Sequence, residues 1–106
     1  QEEKLNWLHG ILEAVGVPVV YGEWPTDNAL ATPYICYLSA YTNNFPADGV
    51  VYGPVIDHYQ VELYTREKSP GLEEKVEDVL SGLYWEKSEE YIDNEGCFQV
   101  IYEFEV

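Results

Sequence analysis

Residues 58–80 read HYQVELYTREKSPGLEEKVEDVL, and the spacing of the apolar side chains changes halfway through. Tyr59, Val61 and Leu63 alternate with His58, Gln60, Glu62 and Tyr64, the period of two that sends successive side chains to opposite faces of a strand. After Ser69 the apolar positions are Leu72, Val76, Val79, Leu80 and Leu83, spaced by three and four as on one stripe of a helix. Ser69 marks the switch as an N-cap, with Pro70 at the first helical position. Glu73 and Glu74 then suit the positive end of the helix dipole, and Gly82 is a natural stop. The stretch reads as a strand followed by a helix, and the adjacent pairing of the strands along the chain makes the class α+β.

Upstream, Val50–Tyr64 reads as one strand with a bulge or bend at Gly53-Pro54. Before it, Asn43-Asn44-Phe45-Pro46-Ala47-Asp48-Gly49 reads as a long hairpin tip. Thr32–Thr42 (TPYICYLSAYT) reads as the partner strand, apolar on both faces. Gly22–Asn28 is dense in loop formers, and Val17–Tyr21 is a short edge strand. The first segment, Glu2–Val15, carries Leu5, Leu8, Leu12 and Val15 at helical spacing, with Trp7 and Ile11 widening the stripe. Gly16 and Pro18 end it. Downstream, Tyr84–Ile92 and Cys97–Val106 form a second strand pair around the turn signal Asn94-Glu95-Gly96. In the last strand Phe98, Val100, Tyr102, Phe104 and Val106 share one face. The order is helix, short strand, hairpin, helix, hairpin. It predicts one domain over residues 1–106, with a mainly antiparallel sheet of four to five strands and two helices packed on one face.

The chain is long enough for one core, and its 46% hydrophobic and 15% aromatic shares supply one. Twenty acidic residues oppose five basic ones, for a net charge of −15. Only Lys4, Arg66, Lys68, Lys75 and Lys87 are available to meet phosphate, which excludes a strong nucleic-acid binder and disfavours an anionic membrane. Such a field keeps a protein soluble, favours basic partners and repels DNA. No apolar run approaches the ~20 residues of a membrane span and no signal peptide opens the chain, so a cytoplasmic protein is expected. Cys36 and Cys97 lie too far apart for a CxxC site and are expected as small buried thiols, with a single bridge as the alternative.

Catalytic chemistry finds little support. His9 lies on a helix, and His58 lies beside Asp57 on a strand, where neighbours face opposite ways. None of Ser39, Ser69, Ser81 or Ser88 sits in a nucleophile elbow. Glu73/Glu74, Glu77/Asp78 and Glu89/Glu90 read as solvated faces, and no calcium loop or phosphate-binding glycine loop is present. The expectation is a non-enzyme with no cofactor and no metal. Ten tyrosines exceed what a core this size holds, so some should be displayed as contact residues. The candidate interface residues are Trp24, Tyr41, Phe45, Pro46, Tyr52, Tyr64 and Trp85.

The segment Tyr59-Gln60-Val61-Glu62-Leu63-Tyr64-Thr65 followed by Leu72–Glu77, the ending Phe98–Glu105, and the start Val17–Gly22 with Thr32–Ile35 together resemble small tail-completion proteins. These are tail terminators of siphophages infecting Gram-positive bacteria. The resemblance covers most of the chain and lies in order and composition, with no invariant site. It implies a small sheet flanked by helices and a homo-oligomeric ring, commonly of six subunits. Such a ring caps the tail tube protein and joins it to the head connector or stopper protein. It also implies a virion location, with synthesis in the bacterial cytoplasm and no membrane partner. DNA would pass an acidic bore without tight binding. Two other roles fit the same residues: a head-completion (stopper) protein of the neck, and an acidic DNA-mimic inhibitor.

Overall fold

A computed structural model describes residues 2–22, 33–47, 50–93 and 96–105, with the backbone alone at 2, 40–47 and 50–56. Helix α1 (Glu2–Glu13) leads into β1 (Val19–Tyr21), then β2 (Tyr34–Ala47) and β3 (Val50–Thr65). Helix α2 (Pro70–Val79) follows, then β4 (Trp85–Ile92) and β5 (Cys97–Glu105). The five strands form one sheet in the order β1-β2-β3-β5-β4. All pairings are antiparallel except β1 with β2. The fold is α+β, as the sequence predicts.

The period switch at Ser69 is a helix cap: its Oγ accepts a hydrogen bond from the Leu72 amide at 3.4 Å. Gly16 and Gly82 close the two helical segments at φ of +95° and +91°, a conformation a Cβ would strain. Both helices pack on one face of the sheet. Leu8, Leu12 and Val15 of the first helical segment, and Val76 and Leu80 of the second, bury against Ile35, Tyr37, Tyr59, Val61, Leu63, Val100, Tyr102 and Phe104. These sheet residues are the alternate positions the period of two selects, brought level by the register Ile35↔Leu63↔Val100 and Tyr37↔Val61↔Tyr102. Cys36 and Cys97 are free, buried thiols.

The chief departure from expectation lies in the hairpin. Asn43–Ala47 reads as loop in the sequence, but it continues β2: Phe45 pairs with Tyr52, Pro46 with Val51 and Ala47 with Val50. Only residues 48 and 49, Asp-Gly, lie between the paired ends, and that dipeptide is the strongest short-hairpin signal. Continuous pairing to Val50 therefore overrides the turn-forming residues on the other strand. Near Gly53-Pro54 the expected irregularity is present, because Asn43↔Ile56 is followed by Phe45↔Tyr52. Three residues of β3 there oppose one of β2, so Pro54, which has no amide hydrogen to donate, sits in a bulge.

Candidate docking site

The strands differ greatly in length, and that difference makes an arm. β1 covers β2 only at Ile35–Tyr37, and β5 covers β3 only at His58–Thr65. Beyond those positions, residues 42–47 and 50–57 have only each other as described strand neighbours, while Leu38, Ser39 and Tyr41 still pair with β3 residues that β5 covers. At about 3.3 Å per residue, this two-stranded ribbon reaches roughly 20 Å from the body. Accordingly the molecule measures 50 × 29 × 22 Å. Its radius of gyration is 15.3 Å, against about 13 Å for a compact chain of this length.

The arm lies in a charge-poor part of the chain, since no charged residue occurs between Asp27 and Asp48. Residues 38–56 read LSAYTNNFPADGVVYGPVI and hold one charged residue, Asp48, although 24% of the whole chain is charged. Three of the interface candidates, Phe45, Pro46 and Tyr52, lie on this ribbon, with Tyr41 at its root, and two of them, Phe45 and Tyr52, are cross-strand partners. Sequence reading placed Phe45 and Pro46 on a loop tip; they belong to a strand instead. Trp24 lies outside the described residues.

Tyr64 belongs to a second surface, the sheet face opposite the helices. Its rows run Tyr34↔Tyr64↔Gln99↔Glu90, Cys36↔Glu62↔Ile101↔Ser88 and Leu38↔Gln60↔Glu103↔Glu86. No described helix packs here. Tyr34 and Tyr64 stack at 4.8 Å between ring centroids. The Tyr64 hydroxyl donates to Glu62 Oε1 at 2.6 Å and accepts from Gln99 Nε2 at 2.8 Å, while Gln60 donates to the other Glu62 oxygen. Burial pushes the Tyr64 phenol far up from its ordinary value, and the Glu62 bond adds to the rise, so it stays a neutral donor. The residues are half-buried and their one carboxylate is satisfied internally. Sequence reading found Tyr64 but missed Tyr34, Gln60, Gln99 and Ile101, because only the register across three strands brings them together.

The same face turns acidic toward β4 and the root of the arm. His58, Tyr84, Glu86, Glu103 and Glu105, with Tyr59 and Phe104, line a cleft of about 520 Å³. His58 Nδ1 stands 3.6 Å from Glu105. Among the described residues no group of three or more His, Cys, Asp or Glu side chains converges to hold a metal ion.

Trp85, the remaining candidate, is not displayed. It is half-buried on the helix side, edge-on to Tyr102 at 5.3 Å, and packs against the core. The period of two explains why: Trp85 pairs with Phe104, a core position of β5.

Three of the basic residues are held in ion pairs. Lys4 pairs with the buried Asp57 at 2.9 Å. Lys68 and Lys87 close on the buried Glu73 at 2.7 and 2.9 Å, and Lys87 also meets Glu77 at 2.7 Å. The Tyr102 hydroxyl donates to the same Glu77 oxygen at 2.8 Å. Burial pushes the Glu73 carboxyl up, but the two lysine hydrogen bonds outweigh it and hold it below its ordinary value. Glu77 is lowered chiefly by its bond from Lys87. Three of the five cations are thus committed to internal carboxylates, which leaves the exterior still more one-sidedly acidic.

No known family model matches the chain, and no curated protein matches its sequence. No described helix is long and apolar enough to cross a membrane.

Proposed function

We propose that the protein is a structural subunit of a phage virion, a tail terminator that assembles into a ring, caps the tail tube and joins it to the head connector. The observation that carries this reading is the charge-poor arm on an acidic body. A two-stranded ribbon has little stability alone in water, so an arm of this length is best explained by a protein surface that covers it. Interface cores are depleted in charge, as this arm is. The body supplies the complementary requirement, since a surface of net charge −15 with three of its five cations paired to carboxylates has little with which to hold phosphate, and DNA would pass it. Its role is contact, with no catalytic step.

A DNA mimic acting as a monomer would have no use for the arm, whereas a stopper ring in the neck would share it. Deleting the gene from its phage separates the remaining possibilities. Electron microscopy is expected to find full heads beside detached, overlong or uncapped tails. Heads that leak their DNA beside normal tails would assign the stopper role. Fully joined, infectious particles would refute both.

A further inference from the structure

From two surfaces on which no described helix or further strand packs we infer that they fill each other between copies: the arm of one subunit lies on the helix-free sheet face of the next. This rests on the ring reading above and names the contact that would build the ring.

Three observations lead there. First, the occupant of the helix-free face has to be poor in charge. Its β2–β3 half presents Tyr34, Leu38, Gln60 and Tyr64 around Glu62, whose carboxylate accepts from Gln60 and Tyr64, while Glu86, Glu90 and Glu103 stand along its β4–β5 side. A centre whose one carboxylate is already hydrogen-bonded within the face, with a charged margin, has the anatomy of an interface core and rim. Second, two bodies of net charge −15 repel, and residues 42–56, the projecting part of a charge-poor stretch, can approach another copy with Asp48 as their one charged residue. Third, the arm cannot serve its own molecule. Its last described pair, Ala47↔Val50, and the Tyr34↔Tyr64 pair stand at opposite ends of one continuous ladder. They are separated by roughly 40 Å of extended strand.

An arm that reaches a different surface on its neighbour makes a head-to-tail contact. Such contacts do not stop at a two-fold dimer; they close into a ring or run on as a filament. Adding the arm to an outer strand is the less favourable route. β4 guards its edge with Glu86, Lys87, Glu89 and Glu90, and β1 is three residues long.

The test uses two disabled copies. In the first, residues 43–56 are replaced by Asn-Gly, closing the hairpin on the paired residues Thr42 and Asp57. In the second, Ile101→Glu puts a charge at the centre of the face, and Gln99→Arg serves if that variant does not fold. Sedimentation is read for each alone and for an equimolar mixture. The full chain should sediment as a ring. Each variant should be monomeric, with self-association weakened roughly a hundredfold or more. The mixture should give one-to-one dimers and nothing larger, because one intact arm and one intact face remain. A ring that survives loss of the arm would overturn this inference and leave the ring reading standing. Variants that are monomeric alone and fail to pair when mixed would overturn the arm-to-face contact in particular. A full chain that stays monomeric at its highest soluble concentration would overturn both.

Discussion

The helix side of the sheet and the β2–β3 arm draw on similar residues, tyrosine, valine, isoleucine and phenylalanine, yet one lies under two helices and the other has no described third strand beside it. On the helix side, Tyr59, Val61, Leu63 and Tyr102 are buried against Leu8, Leu12, Val76 and Leu80. Along the arm, Phe45, Val51, Tyr52, Val55 and Ile56 occur on strands with no described third strand beside them. Apolar content alone therefore does not separate a core from a contact surface; what each strand has beside it does. The body should depend on its packing for stability, and the arm should depend on its partner.

The largest expected effects fall on the body. Leu8→Ala removes a fully buried side chain and should cost about 2–5 kcal/mol, read by denaturant unfolding. Replacing residues 43–56 by Asn-Gly should change the unfolding free energy of the monomer by less than about 1 kcal/mol while abolishing assembly. An arm deletion that unfolds the body would erase the distinction between the two regions.

Next come the internal ion pairs. Lys87→Met should destabilise the monomer by about 1–2 kcal/mol, a figure reduced because the lysine is partly exposed and Glu73 keeps Lys68. The pH dependence follows from the same groups. Glu73 and Glu77 are held below the ordinary glutamate value of 4.5, so they contribute stability above it. That contribution is lost as pH falls through their lowered values. Thermal unfolding should therefore show a decline beginning near pH 4.5 that is smaller in Lys87→Met; an unchanged decline would remove these carboxylates from the account.

Much of this was legible in the sequence, and the failures have a common cause. The alternation at Tyr59–Leu63, the Ser69 cap and the stripe Leu72–Leu83 are local signals, and the structure follows them. Asn43–Ala47 was misread because Asn, Pro and Ala are poor strand formers, whereas the pairing that holds them comes from Val50–Ile56 across the hairpin. Glu73 suited the first turn of a helix but gave no sign of burial, since Lys68 and Lys87 reach it from outside the helix. The helix-free face escaped for the same reason: Tyr34, Tyr64 and Gln99 are neighbours only once three strands are in register. The arm's lack of charge, by contrast, is visible in the sequence, but its meaning appears only when the ribbon is seen to project.

Two smaller effects sharpen the contrast. Phe45→Ala should weaken assembly several-fold without shifting the monomer's melting temperature, since its contact lies with the partner. Raising salt from 50 to 500 mM should strengthen assembly modestly by screening repulsion between acidic bodies. Weakening by salt would point to attraction between opposite charges instead.

Amide hydrogen exchange, followed as a function of protein concentration, tests the central claim most directly. Amides in 42–47 and 50–56 should exchange rapidly in dilute monomer and slowly in concentrated protein, while those of Val61, Leu63, Val100 and Tyr102 remain protected throughout. If the arm's amides are equally protected at every concentration, it needs no partner, and its assignment as the docking element is wrong.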